Sequence, residues 1–539
     1  MTEVLAHQRL RLPPLPGEVW WGGAVADGQL MPFGPRTHHR DLAGSAGVIG
    51  DARVGNNQSA PLLLSNRGRF IWSEFPFEFD ITDDAVDVVG SELVHGRAGN
   101  TLQDAFRTAS AAFFPGSGST PALQMLKAPQ YNTWIEMPFR PTQDGVLQYA
   151  RDLLGAGFPP GVLMIDDRWS PEYGTWTFDP VTFPDPSAMV STLHALGFTV
   201  MLWLVPFVSP GTATFNALAA QGFLVREPGG QPAIRQWWNG CSAVLDATHP
   251  GAADWLHRAL GALVTEHGVD GFKFDGGDFY SYAPTDRAAG AVDPAGQCEA
   301  WARIGLRYPF NEYRACWKMG GQPLVQRLHD KPPTWGPGGL GSLIPEAIAQ
   351  GLIGHAFVCP DMVGGGDLGI FRTVGVDAEF FVRYAQCAAL FPMMQFSVSP
   401  ARVLDEIHLT TVLSAVELHQ QLVPEIAALA KNAARTGEPI LRPLAYHHPG
   451  YEHVVDQFLL GEDILAAPVL ERRAPNRRVV LPPGTWTAPD GTSHQGPTTI
   501  ELPVTLESIP WFRRNTTLEQ TGLPSPGHPS TPARRWRSR

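Results

Sequence analysis

The sequence predicts a (β/α)8 barrel flanked by two smaller β-sandwich regions. Between about residues 119 and 435, short apolar runs alternate with segments of helical periodicity. Before and after this stretch, the chain contains short alternating runs separated by turn residues. Repetition of strand and helix over this length indicates a parallel sheet, and it favours a closed barrel over an open, doubly wound sheet.

The two outer regions have the strand spacing that is typical of antiparallel sandwiches. In residues 1–118, alternating runs lie at 60–65, 68–73 and 85–89. In residues 436–515, similar runs lie at 454–459, 464–469 and 478–486 and predict a smaller sandwich. Strands of about five residues bounded by turns are typical of antiparallel β-sandwiches. Residues 516–539 join a Pro/Ser/Gly run to a basic end, which predicts a disordered tail.

The elements of the barrel follow one another in order. Apolar runs predict strands at 131–135, 162–165, 199–205, 271–274 and 356–359. Helical spacing, N-cap residues and terminal glycines predict helices at about 146–155, 185–197, 252–266, 342–350, 377–390 and 404–434. The stretch 279–335 interrupts this rhythm with turn-rich and aromatic sequence, so we predict a long βα insertion on the catalytic rim.

Composition excludes several classes of protein. Lys and Arg number 40 against 52 Asp and Glu, a net charge of −12, which argues against a nucleic-acid partner. No apolar run reaches the ~18 residues of a membrane span, and the first ten residues do not resemble a secretion signal. Five scattered cysteines without CxxC spacing indicate a reducing cytoplasm. The oligomeric state stays open, and a homo-oligomer is compatible with the sequence.

The motifs that could indicate a cofactor or a metal lack the neighbouring residues that such sites require. Two glycine-rich stretches, 336–341 and 364–369, fit GxGxxG, but neither has an acidic residue about twenty positions beyond. The histidine pairs at 38–39 and 447–448 are adjacent, so strand alternation sends them to opposite faces. We therefore expect no cofactor and no metal site.

Two stretches carry the chemistry, and the first is Gly-Phe-Lys-Phe-Asp at 271–275. Asp275 ends a predicted strand, where barrel enzymes place their catalytic groups. Alternation puts Lys273 on the same face, and its ammonium would keep Asp275 ionised, as a nucleophile requires. A structural Lys–Asp pair explains the local pattern equally well.

The second stretch is Cys-Pro-Asp-Met-Val-Gly-Gly-Gly at 359–366. Asp361 follows Pro360 at a strand exit, and the glycines allow the backbone to pass close to a ligand. A carboxyl group with apolar neighbours at a rim can hold a raised pKa and act as an acid. An ordinary turn or helix-cap aspartate is the alternative.

Further candidates would bind sugar. Asp166 and Asp167 end the second barrel strand beside an arginine and a tryptophan, a set that suits hydroxyl binding, although twin aspartates also cap helices. Three tryptophans at strand ends or in loops offer flat rings to sugar faces, and each could equally be a core residue: Trp134, Trp203 and Trp238.

Taken together, these motifs resemble glycoside hydrolase family 31, the retaining α-glycosidases. Similarity extends over nearly the whole chain, including the segments 57–72, 178–186, 437–440, 456–461 and 465–469. The resemblance implies that Asp275 is the nucleophile and Asp361 the general acid/base. It also implies that Lys273, Asp166 and Trp203 occupy the substrate pocket.

The segments 237–240, 272–275, 359–365 and 391–397 resemble an α-galactosidase-like subgroup. Where family α-glucosidases carry Arg-Ser-His, this chain reads Met-Gln-Phe-Ser at 394–397, so we expect Gln395 to recognise hydroxyl groups differently. We expect Arg327, which precedes Asp330 and Trp335, to reach a sugar hydroxyl. Asp278 stands at an acidic position of the subgroup without an assigned role.

The implied activity is exo-acting hydrolysis of terminal α-linked sugars, with α-galactosides slightly preferred. It would proceed by double displacement through a glycosyl-aspartate, with the two carboxyl groups about 5–5.5 Å apart. An oligosaccharide or glycoside is the expected partner. An α-glucosidase, α-xylosidase, sulfoquinovosidase or transglycosylase remains open, as does a non-catalytic carbohydrate-binding protein.

Overall fold

The computed structural model describes residues 7–34, 36–43 and 57–515. The predicted tail at 516–539 lies outside the described residues. At the centre is a parallel barrel, which confirms the predicted fold class. Its strands are Gln130–Asn132, Val162–Ile165, Thr199–Leu204, Gly271–Phe274, Phe310–Tyr313, Gln326–Arg327, Val358–Cys359 with Met362–Val363, and Gln395–Phe396.

Barrel closure runs through the seventh strand, which has two halves. Val358–Cys359 pairs with the sixth strand, and Met362–Val363 pairs with the eighth. Because both halves belong to one chain segment, the sheet closes on itself. Pro360 and Asp361 lie between the halves, and Asp361 has a positive φ of 73°.

Helices follow most barrel strands, and local chemistry sets their ends. Asp185 accepts a hydrogen bond from the Ala188 amide and precedes Pro186, the N-cap arrangement predicted from sequence. The helix Pro250–His267 ends at Gly268, whose positive φ of 77° is a conformation that glycine adopts easily. The helices are Leu102–Phe113, Gln124–Lys127, Gln143–Gly155, Pro186–Ala195, Ala213–Gln221, Pro250–His267, Pro294–Gly305, Leu343–Leu352, Leu368–Val374, Ala378–Ala389, Pro400–Val403, Glu406–Thr436 and Leu444–His447.

The stretch 279–335 differs from the single insertion that we predicted. It contains the fifth and sixth barrel strands, Phe310–Tyr313 and Gln326–Arg327, as well as one helix. Polar side chains of these strands, such as Asn311 and Glu312, are buried. The strands therefore lack the apolar runs by which the other strands were recognised.

A small antiparallel sheet follows the third barrel strand. Its strands are Phe207–Val208, Ile234–Trp237 and Gly240–Val244. The last two form a hairpin whose tip carries Trp238 and Asn239. The tip lies at the end of the second barrel strand, where the Asn239 amide donates to Asp167 Oδ2.

Two sheets form the N-terminal region, as the predicted sandwich requires. Phe79 of one sheet and Leu63 of the other belong to one buried core. One sheet contains Gln8–Leu12, His38–Asp41, Phe77–Ile81 and Val86–Gly90. The other contains Trp20–Ala24, Gln58–Ser65, Arg69–Trp72, Val94–Arg97 and, from the barrel region, Cys316–Trp317.

The C-terminal region, expected as a smaller sandwich, forms one continuous six-stranded antiparallel sheet. Its small core includes Val479, Trp486 and Phe512. The strands are Leu441–Arg442, Phe458–Leu460, Ile464–Ala466, Asn476–Thr487, Ser493–Pro503 and Trp511–Arg514. Across residues 7–34, 36–43 and 57–515, no helix combines the length and apolar character that a bilayer crossing needs.

Candidate active site

Asp275 lies directly after the fourth barrel strand, as predicted. Its backbone amide donates to the Leu204 carbonyl at 2.8 Å, which continues the pairing with the third strand by one residue. The Trp203 indole N–H donates to Asp275 Oδ2 at 2.9 Å, and the Gly276 amide donates to Oδ1 at 2.9 Å. The carboxylate is therefore oriented by groups from two neighbouring strands.

Arg314, which the sequence reasoning missed, is the nearest cation to this carboxylate. Its Nε lies 3.3 Å from Asp275 Oδ1, and its Nη2 lies 3.0 Å from Asp278 Oδ2. Its guanidinium also stacks over Trp238, 5.0 Å from the ring centroid. Arg314 thus links the nucleophile candidate to Asp278 and to the hairpin tip. Its position directly after the fifth strand, where barrel enzymes place functional side chains, could have indicated a role for Arg314.

The electrostatic surroundings keep Asp275 ionised. Burial alone would raise the pKa of this carboxyl group. The positive charges of Arg314, Lys273 and Arg327, together with the Trp203 hydrogen bond, outweigh burial and hold the pKa well below its usual range. At neutral pH the side chain is therefore a carboxylate that is ready to act as a nucleophile.

Lys273 and Asp166 form a buried ion pair across two strands. Lys273 Nζ donates to Asp166 Oδ2 at 2.8 Å, so the hydrogen bond of Lys273 goes to Asp166 and not to Asp275. Both side chains are about 4% exposed. Lys273 still lowers the pKa of Asp275 through its charge, although Arg314 has the larger effect.

Asp361 is deeply buried in the break of the seventh strand. Its Oδ2 accepts hydrogen bonds from the Lys331 amide at 2.7 Å and the Gly366 amide at 3.0 Å, and its Oδ1 is ion-paired with Arg327. The side chain has no exposed surface. Burial raises the pKa of Asp361 to about 6, because the opposing charge of Arg327 only partly compensates and Asp330 adds a like charge.

Arg327 bridges two carboxylates. One nitrogen, Nη1, contacts both Asp361 Oδ1 and Asp330 Oδ1, the latter at 2.8 Å. Arg327 is 1% exposed and Asp330 is 33% exposed, so Asp330 is the member of this group that opens to solvent. Asp330 comes two residues after Leu328, in the loop that follows the sixth strand, and sequence reasoning gave it no role.

Gln395 is fully buried within the barrel. Its amide nitrogen donates to Glu312 Oε2 at 2.7 Å and to Gln130 Oε1 at 2.8 Å. Glu312 in turn lies 3.4 Å from Arg327 Nε. Among the described residues, Gln395 Oε1 has no hydrogen-bond partner. Gln395 therefore belongs to a buried polar network that supports Arg327.

Asp167 turns away from Asp166 toward the hairpin tip. The Tyr173 hydroxyl donates to Asp167 Oδ1 at 3.0 Å, and the Asn239 amide donates to its Oδ2. Burial and the neighbouring Asp166 charge raise the pKa of Asp167 to about 7. Asp167 therefore holds the hairpin that presents Trp238.

Trp134 lies after the first barrel strand and is half-buried. Its indole N–H donates to the Gly366 carbonyl at 2.9 Å, and its ring packs edge-on against Phe139 at 5.0 Å. Because the Gly366 amide binds Asp361, Trp134 adjoins the group of carboxylates. The three predicted tryptophans are thus distributed around one rim.

One possible cation site occurs in the part of the chain that the structure describes. His39, Glu78 and Asp80 lie together on the N-terminal sheet, and all are exposed. His39 Nδ1 already lies 2.9 Å from Asp80. Exposed acidic groups commonly occur without a metal, so this cluster is not evidence of a metal site.

Paired carboxylates and cations at strand ends define a barrel whose polar site lies at the carboxyl face, as in (β/α)8 enzymes. A model for the Glycosyl hydrolases family 31 TIM-barrel domain matches residues 125–319. A model for the family 31 C-terminal domain matches residues 437–518. The chain belongs to glycoside hydrolase family 31.

Relatives and solved structures agree with this assignment. The Myogenesis-regulating glycosidase of Mus musculus is 35% identical over 421 residues, covering 74% of this chain and 58% of the relative. The 1,3-alpha-isomaltosidase of Kribbella flavida is 25% identical over 389 residues, covering 66% and 50%. The chain therefore spans between half and three fifths of these relatives' lengths.

A solved structure extends the likeness to the whole fold. The cycloalternan-degrading enzyme from Trueperella pyogenes, in complex with a covalent intermediate, superposes with a TM-score of 0.82. The superposition covers 95% of this chain and 78% of the Trueperella pyogenes chain, and the two sequences are 20% identical. At this identity the likeness supports the fold alone.

Proposed function

We propose that this protein is a retaining, exo-acting α-glycosidase in which Asp275 is the nucleophile. The observation that carries the proposal is the ion pair of Asp275 with Arg314, together with the Trp203 hydrogen bond. These contacts hold a buried carboxylate ionised and oriented at the end of a barrel strand. Family membership supports the same chemistry, because retaining glycosidases of this kind act by double displacement through two carboxyl groups.

For the proton donor, the geometry favours Asp330 over Asp361. An acid that protonates a glycosidic oxygen has to reach the substrate. Asp361 has no exposed surface, and both of its oxygens already accept hydrogen bonds from fixed groups. Asp330 is one-third exposed, and among the described residues its side chain is hydrogen-bonded or ion-paired only with Arg327. The raised pKa of Asp361 fits an acid, but its enclosure argues that it instead fixes Arg327.

The proposed reaction has two steps. In the first, an Asp275 oxygen bonds to the anomeric carbon while the bond to the leaving oxygen breaks and Asp330 gives that oxygen its proton. In the second, Asp330 takes a proton from water, whose oxygen attacks the anomeric carbon and releases Asp275. Two inversions leave the product as the α-anomer. Arg314 and Lys273 stabilise the Asp275 carboxylate before and after these steps.

For the sugar, we propose a slight preference for α-galactosides. The subgroup-like motifs around Trp238, Asp275 and Gln395 support it, because this chain reads Met-Gln-Phe-Ser at 394–397 where family α-glucosidases carry Arg-Ser-His. The names of similar proteins also include sulfoquinovosidase and alpha-xylosidase, so these activities are the alternatives within the family. The expected substrate is an oligosaccharide or glycoside with a terminal α-linked sugar.

A panel of nitrophenyl α-glycosides tests the proposal directly. We expect turnover of at least one member with retention of configuration, and loss of it in Asp275→Ala. Azide should restore Asp275→Ala by forming the β-glycosyl azide, because a small anion then takes the place of the carboxylate. Asp144→Ala, an exposed aspartate on an outer helix, is the matched control.

Three outcomes would contradict the proposal. Undiminished activity of Asp275→Ala would remove this residue from catalysis. An α-glycosyl azide from that variant would make Asp275 the acid/base residue. Sugar binding without turnover of any glycoside would favour a non-catalytic carbohydrate-binding protein.

A further inference from the structure

A groove lies beside Trp134, one of the tryptophans of the candidate active site. Its volume is about 620 Å³, within the ~300–1,000 Å³ that ligand sites occupy. The loop after the first barrel strand forms one wall, and the helix Leu368–Val374 contributes to the other. The lining residues are Glu136, Met137, Pro138, Phe139, Arg140 and Arg372.

The groove is linked to the candidate active site by a series of residue contacts. Phe139, in its wall, packs against Trp134, and Trp134 donates its indole N–H to Gly366. The amide of Gly366 binds Asp361, which shares Arg327 with Asp330. A leaving group that extended from Asp330 past Trp134 would meet this groove.

Two cations of the groove are free to bind a ligand. Arg140 and Arg372 are exposed, and within the described residues neither guanidinium has an ion pair or side-chain hydrogen bond. The one acidic lining residue, Glu136, is already engaged, because both of its oxygens bind Arg402 and one also accepts from the Ser399 amide. The unpaired charge in the groove is therefore positive.

The apolar part of the groove is held in an unusual backbone conformation. Phe139 has a φ of 60°, which non-glycine residues rarely adopt. Such residues persist where the surroundings over-determine them, and they occur often at ligand sites. Together with Met137 and Pro138, the Phe139 ring supplies an apolar surface suited to the C–H face of a sugar.

We infer that the groove is a leaving-group subsite for a sugar that carries a carboxylate, such as a uronic acid. The inference rests on the proposed α-glycosidase function. Phe139 and Trp134 would contact the sugar ring, and Arg140 and Arg372 would bind its carboxylate with planar, paired N–H donors.

Two disaccharides with the same terminal α-galactose test this inference, one ending in glucose and the other in glucuronic acid. We expect kcat/KM to favour the uronic acid by about tenfold at low salt, a ratio that two exposed ion pairs can supply. The preference should shrink as ionic strength rises, because exposed charges are screened. In Arg140→Gln/Arg372→Gln the ratio should fall to about one.

Matched variants separate charge from shape. Arg140→Lys/Arg372→Lys should retain part of the preference, and Arg151→Gln, an exposed arginine on an outer helix, should leave the ratio as in the unmodified protein. A ratio near one in the unmodified protein, or a ratio that survives the double glutamine variant, would overturn the inference while the α-glycosidase proposal stands. If neither disaccharide nor any nitrophenyl glycoside is cleaved, the proposed function itself fails, and the inference fails with it.

Discussion

Arg314 and Asp275 form an ion pair between neighbouring barrel strands, with Nε and Oδ1 3.3 Å apart. The parallel register explains the contact. Phe274 lies opposite Tyr313, so one further step along each strand brings Asp275 beside Arg314. The register between these two strands, which neither segment shows alone, therefore places a positive charge beside the proposed nucleophile.

Replacing Arg314 should shift the pH profile of the enzyme. The folded pKa of Asp275 is lowered, so the carboxylate persists to lower pH than usual, and Arg314→Gln raises that pKa. Because activity needs the carboxylate, the acidic limb of kcat/KM should move to higher pH. Loss of a charge-assisted contact predicts roughly a 10- to 100-fold drop near pH 5. Arg303→Gln, an exposed arginine nearby in the chain, is the control. An unmoved limb with reduced activity would mean that Arg314 acts on the sugar alone.

Asp330 and Asp361 should respond differently to the leaving group. Asp330→Asn should lose about 10²- to 10⁴-fold on glycosides with poor leaving groups and much less on dinitrophenyl or fluoride substrates, which need no proton. Azide should then give the α-glycosyl azide. Asp361→Asn, which releases Arg327, should lose activity on all leaving groups alike. The reverse pattern would assign the proton transfer to Asp361, as the family resemblance first suggested.

Asp167 should make stability depend on pH. Its folded pKa of about 7 lies above the usual aspartate value, so the folded state binds the proton more tightly and loses stability as pH rises toward 7. Relative to Asp167→Asn, the free energy of unfolding should therefore fall between pH 5 and 8 by on the order of 2–4 kcal/mol. Thermal melts at several pH values measure this difference, with exposed Asp152→Asn as the control. Parallel curves for the natural protein and Asp167→Asn would contradict it.

Trp203→Phe should show whether Trp203 acts by orienting the Asp275 carboxylate or only by packing in the barrel. It removes the indole N–H that donates to Asp275 but keeps an aromatic ring in the barrel. We expect about a tenfold lower kcat, in line with the loss of one hydrogen bond to a charged group. Trp486→Phe is the matched control, since it also loses a buried indole hydrogen bond, to Pro482, far along the chain in the C-terminal sheet. Equal kcat values in both variants would remove Trp203 from catalysis.

Sequence predicted the parts of the barrel whose strands are apolar. The runs that end at Asp166 and Asp275 are buried on both faces, so their carboxylates could be assigned to strand ends. The fifth and sixth strands escaped notice because Glu312 and Arg327 fill the barrel interior with charge. Arg314 and Asp330, which follow these strands, were missed for that reason.

Side-chain contacts between distant segments also could not be predicted from the sequence. Lys273 was expected to serve Asp275, but its hydrogen bond goes to Asp166, on a strand more than a hundred residues earlier. Likewise, the enclosure of Asp361 depends on amides of Lys331 and Gly366. Chain order gives no measure of such contacts, so the exposure that distinguishes Asp330 from Asp361 emerged only in the folded structure.

The N-terminal strand Gln58–Ser65 has a consequence for how this enzyme can be divided. Its first residues pair with Cys316–Trp317, two positions after Arg314, and the Gln58 side chain donates to the Arg327 carbonyl. Both arginines next to the carboxylates are therefore anchored to a strand from outside the barrel. A fragment that begins at the first barrel strand would keep every aspartate of the site yet lose the anchor of its arginines. We therefore expect the proposed activity to require the joined domains, and a barrel fragment on its own to lack it.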